Sequence, residues 1–289
     1  MTHQLLHRLV QGIQSGEIIP YLGPGSLSDV VHKETNEPIP ATSDGLILAM
    51  NGGKPMAPKL MWEFPRAAMN LELKKGRKFI SRFLTETYNH DNWTQSRLHK
   101  LLADLHPPLV IDVNRDTQLQ DLYAETPHTL IVGVARIAGT DYRYRIFQYD
   151  SGEYREVSNE DVDASLPILF KPMGTPRPSA DYIASDADYV DYITELMGGF
   201  AIPGYVKEHR LDRHYLTIGL RLTRDTERMV FTDMIYGAGS PAGWALIESP
   251  TVKERRFCES KQVEIVEASL TELMQALESA GAAVQPTGG

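Results

Sequence analysis

A chain of 289 residues, 42% of them hydrophobic, has enough apolar side chains to fill one large α/β domain or two small ones, and its composition is neither disordered nor membrane-like. Its 29 basic and 38 acidic residues leave a net charge of −9, which opposes nonspecific binding to DNA, RNA or anionic lipid, since phosphates are held by clustered Lys and Arg. Cys258 is the single cysteine, so an intrachain disulfide and a cysteine-rich zinc module are excluded and no metal site is expected. No run approaches the roughly 18 apolar residues of a membrane span. The opening residues Met1 to Arg8 carry no basic-then-apolar pattern, so no signal peptide is expected. The expected compartment is therefore a reducing cytosol, with no nucleic-acid or membrane partner.

Leu5, Leu6, Leu9, Val10 and Ile13 recur at helical spacing and predict a helix over 3–15, stopped by Gly16. A short apolar strand follows at 17–22 and runs into Gly23-Pro24-Gly25. Residues 29–66 are rich in Pro, Gly, Asn and Met and lack a clear period. They are expected to form a loop excursion over the strand end, with one short helix near 44–50; such a segment is either a lid or an insertion. Helical patterns follow over 67–89, interrupted near Gly76, and over 95–105 through Leu98, Leu101 and Leu102. A buried strand at 108–113 ends at Asn114 and Asp116, where another helix begins. Residues 128–157 hold β-rich stretches at 128–137, 142–149 and 153–157. The turns Ala138-Gly139-Thr140-Asp141 and Asp150-Ser151-Gly152 separate them, which predicts an antiparallel meander.

The core sheet is expected to resume at 167–170. A helix follows over 186–199, ended by Gly198-Gly199. Then come a strand at 215–222, a helix at 224–236, strands at 244–247 and 263–266, and a last helix at 270–280. The Ser269 and Glu272 capping box opens that helix. This alternation predicts an α/β fold: a doubly wound, mostly parallel Rossmann-like sheet with an inserted antiparallel β-meander at 128–157, one domain over 1–289.

Glycines beyond the carboxyl end of a strand allow a diphosphate to approach the backbone, which makes Gly23 and Gly25 candidates. The ordinary dinucleotide fingerprint requires a third glycine where Ser28 stands, and Pro24 removes a donor, so a plain tight turn is the alternative. Gly237-Ala238-Gly239-Ser240 follows a helix and precedes a strand, which reads as a turn at the opposite end of the sheet. Asn114 and Asp116 lie at the same strand end as Gly23. An Asn amide can bind a ribose hydroxyl or position a water; an Asp can hold ribose or cap the next helix. Gly219, Arg221 and Asp225 sit in or after the strand at 215–222. Tyr142 and Tyr144 share one face of their strand and Phe147 and Tyr149 the other, which calls for a bulge or for burial on both faces. Sheet packing is the plain reading of these rings, and a surface for a protein partner or a second copy is the sharper one. Tyr189, Tyr192, Ile193, Leu196 and Met197 make a core or interface stripe.

In order and spacing these motifs resemble the sirtuin-like family, in particular its bacterial stand-alone branch, over about residues 15–280. The family's Gly-Ala-Gly-x-Ser loop is similar to Gly23-Pro24-Gly25, its serine position falling on Leu27 between Ser26 and Ser28. Its Asn-x-Asp matches Asn114 and Asp116. Its Lys-x-His-Gly segment reads Lys171-Pro172-Met173-Gly174, and Ser185 to Tyr189 resembles the family segment next after the histidine. The resemblance implies NAD as cofactor or substrate, with cleavage of its nicotinamide–ribose bond. It also implies Gly23, Gly25 and Ser26 at the diphosphate, Asn114 and Asp116 at the ribose beside nicotinamide, and Gly219 and Asp225 along the cleft. The family's histidine acts as a base, and Met173 cannot accept a proton at neutral pH. Protein deacylation is not expected without the zinc module.

The expectation is a protein that binds NAD or a related adenine nucleotide with weak or no hydrolysis, acting as a sensor or regulator. The alternative is an active NAD glycohydrolase, in phage defence by resemblance, using Asn114, a water and a displaced base drawn from His128, Asp186 or Asp188. A scaffold without a ligand is the third reading.

Overall fold

The structure, a computed structural model, describes residues 2–89, 91–136 and 141–284. At its centre is β1 (Ile18–Leu22), buried at every residue. On one side of β1 lie β2 (Leu109–Asp112), β6 (Ile168–Lys171) and β3 (His128–Gly133); on the other lie β9 (His214–Ile218), β10 (Gly243–Leu246) and β11 (Val263–Val266). Every neighbouring pair among these is parallel. Two antiparallel strands, β4 (Tyr144–Asp150) and β5 (Glu153–Val157), extend the edge beyond β3, so the nine-stranded sheet runs β11-β10-β9-β1-β2-β6-β3-β4-β5. A separate ribbon pairs β7 (Gly174–Thr175) with β8 (Asp181–Tyr182).

Helices cover both faces, which is why β1, β2, β6 and β3 read as continuous apolar runs rather than alternating ones. On one face α1 (Thr2–Ser15), α5 (Arg97–Asp104) and α11 (Leu270–Val284) set Leu6, Leu9, Leu98, Leu102 and Leu273 against Leu22, Val110 and Leu216. On the other, α7 (Asp186–Gly198), α8 (Gly204–Arg210), α9 (Asp225–Met234) and α10 (Val252–Ser260) set Tyr192, Val206, Phe231 and Cys258 against Tyr21, Ile111 and Tyr215. Each such leucine stabilises the fold by about 1.5–3 kcal/mol relative to exposure. A third apolar cluster joins α2 (Ser43–Met50), α3 (Phe64–Lys75) and α4 (Arg77–Tyr88) to Leu27 and Tyr182, beside the carboxyl ends of the strands.

The chain leaves β1 towards β2 by way of α5 on one face. It leaves β9 towards β10 by way of α9 on the opposite face. Between the carboxyl ends of β1 and β9 the winding therefore reverses, and a crevice opens there.

The α/β, doubly wound, mostly parallel reading stands. The meander forms as expected, but β3 is a fully buried strand of the parallel sheet, paired with β6, so the hairpins grow out of the core sheet. The regular register of β3 on β4 shows no bulge. Tyr144 and Ile146 pack in the cluster on one face and Phe147 in that on the other, so burial on both faces explains the phase of the aromatics. The turn expected at 138–141 falls largely outside the described residues. The stretch 237–240 is indeed a helix-to-strand connection at the amino end, where Gly239 N–H donates to Arg213 O.

Sequence reasoning missed two helices. The segment of α8 is short and opens directly after Pro203; α10 has too few apolar residues to show a period and is fixed by a Thr251–Glu254 capping box. The helix expected to start near Asp116 begins two residues later, as α6 (Gln118–Leu122). Among the described residues no helix is long and apolar enough to cross a membrane.

Candidate functional site

The turn after β1 is a single 3-10 turn over Pro24–Leu27 that packs directly on the end of β9. Gly23 N–H donates to Ile218 O at 2.9 Å, Gly25 N–H to Gly219 O at 2.7 Å, and Ser26 N–H to Gly23 O at 3.0 Å. Gly219 has φ +69, and a Cβ there would overlap the Ser26 amide nitrogen; a Cβ on Gly25 would lie 2.9 Å from Gly219 Cα. These glycines thus let two strand ends interlock. The Gly23 and Gly25 N–H groups are spent on protein carbonyls, and Pro24 has none. Ser26 is fully buried, with Oγ donating to Gly23 O at 2.7 Å, so it serves the turn and does not face the crevice. Gly25 and Gly219 do line an open cleft.

Asn114 ties this turn to β2. Its Nδ2 lies 3.0 Å from Gly23 O, 3.1 Å from Ser26 Oγ and 2.9 Å from Asp112 Oδ1. Two amide hydrogens thus serve three acceptors. Asp112 in turn pairs with Lys171 Nζ at 2.6 Å, and Lys171 lies 3.7 Å from Asp116; all three are buried. Burial holds the Asp112 carboxyl above its ordinary range, with Lys171 opposing and the Asp116 charge adding to the rise. Asp116 Oδ1 accepts the Gln118 N–H at 2.8 Å at the start of α6, the capping role, and Asp116 is not among the residues lining the cavity.

Beside Asn114 lies a cavity of about 70 Å³ whose walls include Tyr21, Glu63, Phe64, Tyr88, Asn114, Arg115, Met173, Tyr189, Arg224 and Glu227. Pro24, Ser43, Leu220, Arg224 and Glu227 also border an outer cleft of about 310 Å³, edged by Gly25, Gly219 and Arg221. Pro24, Gly25 and Thr42 lead on to a third space of about 890 Å³ lined largely by the 29–66 excursion. That excursion roofs the inner cavity through Ala41, Ser43, Leu46, Glu63 and Phe64. Clefts of about 300–1,000 Å³ are the usual size for small-molecule sites.

Met173 is buried and shares the inner cavity with Asn114, so the two positions named by the motifs converge. Asp225 does not join them. Its side chain is exposed and paired with Arg228, while its N–H donates to Glu63 Oε1 at 2.9 Å. The proposed displaced bases lie elsewhere. His128 is buried at the amino end of β3, bonded to Thr126 O and Tyr154 Oη at 2.8 Å each, and burial pushes its pKa down. Asp188 accepts the Ala184 and Ser185 N–H groups at the start of α7, which Asp186 opens; neither lines the cavity.

Sequence reasoning passes over five of the wall residues. Arg115 reaches Ile183 O and Tyr189 Oη, stacks 5.2 Å from the Phe64 ring, and leaves Nε buried without a partner. Tyr189 shows in the sequence as part of a helix stripe and as the end of the Ser185–Tyr189 segment, with no site role of its own. Arg224 lies 5.3 Å over Trp62 and 3.7 Å from Asp44. Glu63 belongs to the aperiodic stretch, where no pattern marks it. Glu227 leaves Oε2 buried without a hydrogen bond, and its carboxyl is pushed up to about 7, chiefly by burial, with Arg224 opposing. In sequence it is an acid in the first turn of a helix, which reads as a response to the helix dipole. No protein-family model and no curated protein matches this sequence.

Proposed function

We propose that this protein binds NAD or a related adenine nucleotide in the crevice between β1 and β9, as the sirtuin-like motif order implies. The observation that carries the reading is the convergence of Asn114 and Met173 on one cavity that opens, past Arg224 and Glu227, into a cleft edged by Gly25 and Gly219. This is the place where open α/β sheets hold ligands. The inner cavity suits the small ring end of the ligand, against Tyr21, Phe64 and Tyr189; the outer cleft suits the nucleoside and diphosphate. With the turn N–H groups already bonded and Arg221 paired to Glu254 at 2.7 and 2.9 Å, Arg224 is the charge partner for a diphosphate. The Met173 thioether takes no proton, which favours binding with weak hydrolysis and a sensor or regulator role.

A second reading, hydrolysis of the nicotinamide–ribose bond, is favoured by one observation: the Glu227 carboxyl lies in the same cavity as Asn114. Proton NMR of NAD mixed with the purified protein tests the binding proposal. Broadened adenine and nicotinamide lines are expected with the wild type, with less broadening for Arg224→Ala. Lines that stay sharp at equimolar protein would sink it.

A further inference from the structure

We infer that Glu227 is the proton acceptor of this cavity, activating a water for attack on the nicotinamide–ribose carbon; the inference rests on the second, hydrolytic reading above. The other groups of the cavity wall are unsuited to the role. Among the described residues no histidine lines it. Burial raises the Tyr21, Tyr88 and Tyr189 hydroxyls above their ordinary pKa, so they donate hydrogen bonds but do not take up protons near neutrality. Arginine guanidiniums have no acceptor. Met173 offers only a thioether. Two carboxyls remain, and Glu63 is tied through Oε1 to the Asp225 N–H at 2.9 Å.

Glu227 also takes a backbone hydrogen bond, from Arg224, but one of its two oxygens stays free. Its Oε2 is buried and has no hydrogen-bond partner among the described residues. Arg228 is paired with Asp225, and Arg224, 3.7 Å from Asp44, opposes the effect of burial on Glu227 without forming an ion pair with it. Glu227 also borders both the inner cavity and the outer cleft, so it stands at the neck between them. A buried acceptor left unsatisfied costs on the scale of a lost hydrogen bond, and such a group calls for an account. Asn114 completes the arrangement. Its Nδ2 is fully used on the protein, while its Oδ1 accepts no hydrogen bond from the described residues. A water held between Asn114 Oδ1 and Glu227 has one acceptor for each hydrogen.

In the step itself, the water O–H bond breaks and its proton passes to the Glu227 carboxylate. The water oxygen bonds to the ribose anomeric carbon, and the carbon–nitrogen electron pair leaves on the nicotinamide nitrogen, cancelling its positive charge. Glu227 then returns the proton to solvent through the outer cleft, so one water is consumed and one proton released. The base must be ionised, so the rate rises with pH through the Glu227 titration, which the structure sets near 7. The groups that face it and tune it are Arg224, Arg228, Glu63, Tyr21 and Tyr189.

The experiment compares wild type with Glu227→Gln and Glu227→Asp, following NAD binding by calorimetry, nicotinamide release by NMR from pH 5 to 9, and the glutamate carboxyl carbons by ¹³C titration. Expected are wild-type release with an inflection near 7, a Glu227→Gln variant that binds NAD within about twofold but releases nicotinamide about 100-fold or more slowly, and one glutamate resonance titrating near neutrality that the variant lacks. If Glu227→Gln fails to fold, Glu227→Asp keeps the inflection at a reduced rate. Wild-type turnover in Glu227→Gln overturns the assignment, as does wild type that binds NAD yet never releases nicotinamide, or a wild type with no glutamate titrating near neutrality. Absence of NAD binding by wild type is a distinct result: it overturns the nucleotide reading itself, and this step with it.

Discussion

Lys171→Met should expose how the site is held up from beneath. Among the described residues, Lys171 is the cation paired with both buried carboxylates, Asp112 at 2.6 Å and Asp116 at 3.7 Å. Removing one partner of a buried pair costs about 3–5 kcal/mol, because the other charge stays in low dielectric. The carboxylate has an escape, however: it can take up a proton. With an unfolded-state pKa near 3.9 and about 1.36 kcal/mol per pH unit, protonation caps the Asp112 charge penalty at about 4 kcal/mol at pH 7 and about 1.5 kcal/mol at pH 5.

The sign comes from linkage. Asp112 already sits above its ordinary pKa through burial, and the variant raises it further. The folded state then binds a proton that the unfolded state releases, so stability falls as pH rises between the two pKa values. Urea unfolding of wild type and variant at pH 5 and 7 measures the difference. A deficit of roughly 3–4 kcal/mol at pH 7 that shrinks by about half or more at pH 5 is expected. Asp112→Asn combined with Lys171→Met should recover part of it, though Asp116 remains unpaired. A deficit below about 1 kcal/mol, or one independent of pH, would refute the assigned charge network.

Three further outcomes are expected. Gly219→Ala forces a side chain into φ +69 and against the Ser26 amide; the backbone strain alone costs about 1–3 kcal/mol, and an unchanged melting temperature would contradict the interlocked turns. Glu227 has its carboxyl pushed up to about 7 from an ordinary 4.5, so wild type loses stability as pH rises through that window while Glu227→Gln does not. The variant should gain on the order of 3 kcal/mol relative to wild type between pH 4.5 and pH 8, and equal pH slopes in urea unfolding would count against the burial of this acid. Cys258 is buried with its thiol pushed up to about 11, so a thiol reagent at pH 8 should label the native protein only as fast as it unfolds; complete labelling within seconds would show the thiol to be accessible.

What could be read from the sequence divides along physical lines. Strands buried on both faces announce themselves as apolar runs, so β1, β2, β6 and β9 fall close to where the pattern puts them. Their polar ends, at Gly23, Asn114, Lys171 and Gly219, are legible for the same reason. Strand order is not. Nothing in the pattern of 128–133 says that it pairs with 168–171, because the pairing partner is chosen by the whole sheet. The cavity wall is less legible still. Glu63 lies in an aperiodic segment, Arg115 between two residues with a plainer claim on attention, and Glu227 in a helix first turn where acids are ordinary. Each gains its meaning only when α3, β2 and α9 meet. Conversely, Ser26 and Asp116 matched a motif and turn out to serve the turn and the α6 cap.

Asn114 sits on both sides of this division, and an isosteric change separates its two roles. As a strut, its Nδ2 donates towards Gly23 O, Ser26 Oγ and Asp112 Oδ1. Asn114→Asp keeps the shape but puts an acceptor where those donors were, facing the carboxylate of Asp112. Two carboxylates that close do not both ionise readily, so one takes up a proton near neutrality. The expected cost is about 3 kcal/mol or more at pH 8, smaller at pH 5, and measurable by urea unfolding. Asn114→Ala removes the donors without adding charge, so its deficit should vary with pH less than that of Asn114→Asp, through the lost hydrogen bond to Asp112 alone. If neither variant loses stability at any pH, the amide is not a strut. Its convergence with Met173 and Glu227 then loses its structural alternative, and the case for Asn114 as a ligand-facing group becomes stronger than the geometry alone makes it.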